Sequence, residues 1–276
     1  MAMYFLFLII IFQISKFSFC VDEDYNGITT QVCFGKRNSR NYQYQNNVNV
    51  LLLRLISESS SSHLGYVRNK AGHSPNKAYG SYLCRGDLSS NTCRECLERV
   101  KQYILDRKNV DKYKECFAYD MHLRCIIHNS KSSIPFKYQE NSHVTTEKFG
   151  DSLTLNPNYN KALSNLKQEL VQEASYGNWA QANFATKVVG VGKTHEKIFF
   201  FVQCMPYLSP MSCSNCLGNL SSPNTKGGLV LNFNNCFMKF NNQSFLGSGP
   251  TCGACPLVGP LSHSLTNLVS YVVTTT

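Results

Sequence analysis

Apolar residues between Asn46 and Ser59 recur at helical spacing: Val48, Leu51, Leu52, Leu55 and Ile56 share one face. The stretch Asn160 to Ala174 repeats the pattern with Leu163, Leu166, Leu170 and Val171. Both predict amphipathic helices. Leu-Ser-Ser before Cys93 and Leu-Ser-Pro before Cys213 supply Ser or Thr caps for a second helix in each half, carrying Cys93, Cys96, Leu97 and Val100 in the first. Continuous apolar runs predict strands at Tyr79–Cys84 and Ile198–Cys204, and longer ones at Lys114–Arg124 and Gly228–Phe240. Each half thus predicts an α+β unit, with strands and two helices.

One apolar run stands apart. Tyr4 to Phe12 is too short to span a bilayer and fits the core of a secretory leader. Ser18 and Cys20 are small residues suited to a cut before Val21, which makes 1–20 the leader.

The cysteines repeat. Cys84, Cys93, Cys96 and Cys116 recur at Cys204, Cys213, Cys216 and Cys236, each displaced by 120 residues. Cys116-Phe117 answers Cys236-Phe237 in the same register. Two copies of about 100 residues form a tandem of domains and not a solenoid. The expected organisation is leader 1–20, first domain 27–128, linker 129–144, second domain 145–249 and tail 250–276.

Composition then bears on compartment. The chain has 13 cysteines, and a cut after Cys20 leaves an even number. That density points to an oxidising compartment, so a secreted, extracellular protein is expected. Two glycosylation sequons, at Asn219 and Asn242, agree. The formal net charge is +10, or +9 once Lys16 leaves with the leader. Outside the cell that charge favours acidic polymers or anionic membranes over nucleic acid.

Cys-x2-Cys admits three readings: zinc ligands, a redox pair or structural half-cystines. An oxidising compartment favours the third. Cys252-Gly-Ala-Cys255 in the tail is the pair closest to a redox motif. Val189-Gly-Val-Gly-Lys-Thr194 hints at a phosphate loop, but Lys187 stands where the full pattern needs Gly. No His spacing suggests catalytic zinc, and Ser57–Ser62 reads as a loop with no nucleophile elbow. No metal, no cofactor and no catalytic residue is expected.

The segment Tyr79-Gly-Ser-Tyr-Leu-Cys-Arg-Gly-Asp-Leu-Ser-Ser-Asn-Thr-Cys-Arg-Glu-Cys-Leu97 resembles the plant cysteine-rich repeat secretory proteins. So does Phe201-Val-Gln-Cys-Met-Pro-Tyr-Leu-Ser-Pro-Met-Ser-Cys-Ser-Asn-Cys216. The resemblance covers roughly residues 28–248. It implies two ginkbilobin-homologous domains, the type also found in ectodomains of cysteine-rich receptor-like kinases and plasmodesmata-located proteins. It implies an α+β fold with an antiparallel sheet of about five strands and two helices per domain, in an apoplastic defence or signalling protein.

The resemblance further implies bridges Cys84–Cys93, Cys96–Cys116, Cys204–Cys213 and Cys216–Cys236. Cys33 is then expected to pair with Cys125, and Cys252 with Cys255. The family's mannose site uses an Asn after the N-terminal cysteine, an Arg six before the last cysteine and a Glu five after it. Here Phe34 takes the first place, Val110 and Val230 the second, and Met121 and Asn241 the third. No triad matches.

These readings converge on a non-enzymatic binding or defence protein. Its expected partners are cell-wall or microbial glycans or receptor ectodomains, with no nucleic acid and no transmembrane segment. A cationic antifungal protein acting on membranes or fungal walls is the alternative. An extracellular thiol redox protein using Cys252 and Cys255 is the third.

Overall fold

The computed structural model describes residues 29–246, apart from 37–40, 60, 61, 63, 64, 108–111, 141, 153–156, 178–182, 193 and 194. The expected leader, Val110, Cys252 and Cys255 lie outside the described residues. In the first repeat, β1 (Thr29–Lys36), α1 (Tyr42–Ser57), β2 (Tyr66–Ala71), β3 (Ala78–Cys84), α2 (Ser90–Arg107), β4 (Tyr113–Asp120) and β5 (Cys125–Ser130) follow one another. The second repeat runs β6 (Val144–Ser152), α3 (Pro157–Tyr176), β7 (Phe184–Gly190), β8 (Lys197–Cys204), α4 (Pro210–Asn219), β9 (Thr225–Asn232) and β10 (Cys236–Asn241). The strands form two five-stranded antiparallel sheets, ordered β1-β4-β5-β3-β2 and β6-β9-β10-β8-β7.

Local chemistry sets the helix ends. Asn41 caps α1 by accepting from the Tyr44 amide at 2.8 Å. Ser89 and Ser209 cap α2 and α4, accepting from the Thr92 and Ser212 amides at 3.2 Å each. Val48, Leu51, Leu52, Leu55 and Ile56 bury the inner face of α1, and Leu163, Leu166, Leu170 and Val171 that of α3. Gly228–Phe240 is not one strand: Phe233, Asn234 and Asn235 turn β9 into β10. Likewise Lys114–Arg124 is β4 plus its turn. Of the hinted phosphate loop, Val189 and Gly190 end β7 and the Val191 amide donates to the Glu196 carbonyl just before β8.

The bridges correct two expected pairings. Cys84–Cys93, Cys204–Cys213 and Cys216–Cys236 are present. Cys96 pairs with Cys125 instead of Cys116, and Cys33 pairs with Cys116 instead of Cys125. The sheet order explains this. Cys84 on β3 anchors Cys93, and Cys96 lies about one helical turn further on. The strand beside β3 is β5, where Cys125 sits opposite Cys84. The next strand out is β4, about 5 Å further away, which puts Cys116 beyond a disulfide's reach. Cys116 instead faces Cys33 directly across β1 and β4.

Cys236 sits opposite Cys204 as Cys125 sits opposite Cys84. The structural counterpart of Cys236 is therefore Cys125. The 120-residue step from Cys116 to Cys236 is a coincidence of spacing. Helix α2 has 18 residues where α4 has 10, and the β4–β5 turn has one residue more than the β9–β10 turn. Those nine residues separate the loop of 29 closed by Cys96–Cys125 from the loop of 20 closed by Cys216–Cys236.

Alternation along the strands gives each sheet two apolar faces. In the first repeat Tyr82, Ala118, Cys125 and Ile127 pack under α1 and α2. Leu83, Phe117, Tyr119 and Ile126 point the other way and join the core of the second repeat. Phe117 meets Phe233 with ring centroids 4.5 Å apart.

Polar threads cross that contact. The buried Gln203 side chain accepts from the Gly86 amide at 3.1 Å and donates to the Cys84 carbonyl at 3.3 Å. Arg85 forks onto Asp87 at 2.6 and 3.0 Å and donates to the Phe245 carbonyl at 2.7 Å. Lys239 donates to the His122 carbonyl at 2.8 Å and lies 4.8 Å from the Phe245 ring centroid. Burial, then the nearby Arg85, push the Lys239 amine down to about 7.

The Cys33–Cys116 bridge has Lys148 and Gly228 in its place in the second repeat, because Gly228 sits opposite Phe240 as Cys116 sits opposite Asn129. A Cβ on Gly228 would lie 2.4 Å from Pro223 Cγ and 3.0 Å from the Phe240 ring. Gly228→Ala should thus destabilise by about 1–3 kcal/mol by overpacking, read as a lower urea midpoint. An unchanged midpoint contradicts the assignment.

The unfolded chain holds the Lys239 proton to about pH 10, whereas the fold releases it near 7. Between those values the unfolded state binds more protons, so stability climbs with pH. Below 7 both states are protonated and the cost of the buried charge is fully present. Above about 10 the raised hydroxyls of Tyr66 and Tyr159 act in the opposite sense. The urea midpoint should rise from pH 7 to 9, and Lys239→Met should flatten the rise. An equal rise in both proteins counts against Lys239 as its source.

Candidate functional site

A cleft of about 1040 Å³ opens where the first sheet, the inter-repeat segment and the β9–β10 turn meet. Strand register builds its floor. Phe34 on β1 lies opposite Glu115 on β4, and Glu115 opposite Ser130 on β5, so all three share one face. Phe233 and Asn234 form one wall, and residues of the inter-repeat segment, from Ser132 to Pro135, Lys137 to Glu140, and Ser142 and His143, form the other. Asn234 adopts φ 70°, a left-handed conformation that Asn tolerates better than most residues.

The inter-repeat wall is fastened at several points. Asn235 and Gln139 bond reciprocally: Asn235 Nδ2 donates to the Gln139 carbonyl at 2.8 Å, and the Gln139 amide donates to Asn235 Oδ1 at 2.9 Å. The Phe233 amide donates to the His143 carbonyl at 3.0 Å. His143 stacks on Phe34 with centroids 3.9 Å apart and planes 7° from parallel. Arg68 donates to the Ile134 carbonyl.

Glu115 supplies the floor's charge. Its Oε1 meets His128 Nε2 at 2.8 Å and receives a long bond from Asn234 Nδ2 at 3.5 Å. Burial alone would raise this carboxyl, but the bond and charge of His128, with help from Asn234, hold it below its ordinary value. For His128, burial outweighs the pull of Glu115 and lowers the imidazole. Near neutral pH the pair is therefore a carboxylate accepting from a neutral imidazole whose proton is on Nε2. His128 is fixed from its other side by the Phe117 ring, 4.0 Å away. Glu115 lines the cleft, and among the described residues both of its hydrogen bonds fall on Oε1. The site offers an ionised acceptor, hydroxyls from Ser130, Ser132 and Ser133, and aromatic surface from the half-buried Phe34 and Tyr138.

Family comparison adds the context. The salt stress response/antifungal family model matches residues 32–132 and again 142–243. The chain belongs to this family. Cysteine-rich repeat secretory protein 1 of Arabidopsis thaliana is 28% identical over 183 residues, covering 64% of this chain and 50% of that protein. Probable cysteine-rich repeat secretory protein 6 of the same plant is 29% identical over 189 residues, 63% of each chain. Its cysteine-rich receptor-like protein kinase 8 is 27% identical over 191 residues, 65% of this chain and 26% of the kinase. The chain thus spans from about a quarter to less than two thirds of these relatives' lengths. Among solved structures, the tandem DUF26 ectodomains of the A. thaliana receptor-like proteins PDLP8 and PDLP5 superpose with TM-scores of 0.59 and 0.56 at 18% and 20% identity. They cover 81% and 78% of this chain, and 98% and 99% of their own.

With Cys125 as the first repeat's last cysteine, the positions implied by the family's sugar site move. Met121 lies in the β4–β5 turn, away from the cleft lining. Counted from Cys125, the Arg place is Tyr119 and the Glu place is Ser130. Phe34 and Ser130 both line the cleft, and Glu115 stands between them on the middle strand. In the second repeat Val230 is buried, and Asn241 closes β10 opposite Phe199. Asn219 and Asn242 are both exposed, the first ending α4 and the second following β10.

Sequence reasoning passed over Glu115, His128 and Asn234, because the groups that gather them lie far apart in the chain. It treated the inter-repeat stretch as a plain linker. One signal was present there: Ile134, Phe136 and Tyr138 are large apolar residues at alternate positions in an otherwise polar segment.

The fastening of the wall is testable. Asn235→Ala removes both bonds to Gln139 and the bond to Asn232 Oδ1. It should destabilise by about 2–3 kcal/mol and speed trypsin cleavage after Lys137. Unchanged cleavage there speaks against a pinned wall.

Proposed function

We propose that this protein is an extracellular, apoplastic binder of neutral glycans, working without catalysis, and that the cleft at Glu115 is its site. The observation that carries the reading is an ionised carboxylate, oriented by a buried imidazole, in a cleft also lined by the half-buried rings of Phe34 and Tyr138. Sugar hydroxyls donate to carboxylates, and the apolar faces of sugars pack on rings. The fixed negative charge disfavours uronic acids, despite the basic balance of the chain. Relatives named as secretory proteins support the compartment. No helix among the described residues is long and apolar enough to cross a membrane. The relatives named as receptor-like kinases support a receptor ectodomain as a second class of partner.

A glycan array tests the reading. The expected hit is neutral, saturable and retained in molar salt. Glu115→Gln should weaken it about tenfold, since it removes a charge-assisted acceptor. A wild-type protein that binds no neutral glycan sinks the reading.

The +10 charge and the family's antifungal description favour one other reading, a cationic antifungal protein. It predicts binding to anionic vesicles or pectin that salt abolishes and Glu115→Gln leaves intact.

A further inference from the structure

Phe136 is 66% exposed, unusual for so large an apolar side chain. It is nevertheless held. The Arg68 guanidinium covers one face of its ring, 3.5 Å from the centroid. Tyr207 packs against it in a T-shaped arrangement, with centroids 6.0 Å apart and planes at 90°. Tyr207 in turn donates to the Asn234 carbonyl and packs near Tyr66 at 6.0 Å. Arg68 also donates to the Ile134 carbonyl, so the strand, the guanidinium and the segment bearing the ring form one unit. A ring backed by a guanidinium, held by a second aromatic contact and still mostly in water is a stacking platform already set in place.

Its position ties it to the cleft. Pro135 and Lys137, its two chain neighbours, both line the cleft, as do Tyr138 and Asn234. Phe136 and Tyr138 are at most roughly 7 Å of chain apart. One wall therefore carries one ring towards the cleft and a second on its rim.

We infer that Phe136 is an outer subsite of the Glu115 cleft, and that the ligand is an oligosaccharide of several units. This rests on the cleft being a glycan site. One unit occupies the cleft beside Glu115, and the chain leaves over the wall to stack a later unit on Phe136. Arg68 and Tyr207 are positioning residues that keep the ring seated.

Calorimetry with neutral gluco-, manno- and xylo-oligosaccharides of one to six units tests this on the whole protein. Affinity should rise about 3- to 10-fold once the chain reaches the second ring, the gain typical of one aromatic stack. Phe136→Ala should erase that gain while leaving the shortest ligand's affinity unchanged. Phe136→Trp should retain or enlarge it. Phe136 is exposed, so neither change threatens the fold. Glu115-dependent binding that is equally tight at every length, or a length gain that survives Phe136→Ala, overturns the outer subsite and leaves the cleft standing. A wild-type protein that binds none of the series removes both.

Discussion

A sheet with helices on one face still has another apolar face to cover, and in this protein the other repeat covers it. Leu83, Phe117, Tyr119 and Ile126 would be exposed in an isolated first repeat, and instead they continue the core of the second. A contiguous apolar surface of that kind is not left in water by a stable monomeric domain. The tandem is thus a packing requirement, and each repeat completes the other. The polar groups crossing the contact fix its register, because Gln203, Arg85 and Lys239 each reach a specific main-chain group on the opposite repeat. Removing one partner would strand a buried donor, which costs more than the bond itself contributes.

The repeats meet that shared demand with different internal reinforcement. The first has three bridges, one of which closes 83 residues. In the chain-entropy model that closure contributes about 4–5 kcal/mol. Among the described residues the second repeat has two bridges. Where the third would lie, Gly228 passes close under Pro223 and Phe240. There Phe200 stacks on Phe240, which lies directly opposite Gly228. An aromatic pair stands beside the place where the first repeat has a covalent tie, and the close fit at Gly228 leaves no room for a Cβ there.

This difference explains what was legible in the chain and what was not. Helices α1 and α3 were readable because their buried positions keep a 3.6 period, and β3 and β8 because central strands buried on both faces become continuous apolar runs. The same double burial hid the β9–β10 turn, since Phe233 in that turn is as buried as the strands around it. The edge strands β1, β2 and β7 were missed because their residues are half-buried and mixed in polarity. The bridge error has a different origin. Eight extra residues in α2 shift everything after it, while Cys116 happens to stand where an unshifted repeat would put the last cysteine. Counting along a chain cannot distinguish a conserved spacing from two changes that cancel, whereas strand register can.

The cleft depends on that register and on the packed repeats together. Its floor is one row across β1, β4 and β5, and its lid-side wall is held by Asn235 from the far repeat. Neither repeat alone would contain it. The outer positions of the row, Phe34 and Ser130, do not carry the amide and carboxylate implied by the family's sugar site. A carboxylate nevertheless stands between them at Glu115. Adjacent positions in a row are about 5 Å apart, so moving an acceptor by one strand shifts it by that distance without altering the fold. A buried imidazole then keeps it charged, which a solvated glutamate would not need. Investment in a neutral His128 beneath Glu115 is costly in a hydrophobic interface, because a buried polar ring must be satisfied there. Such a pair has a physical rationale where the carboxylate faces a ligand, and little where it faces only water.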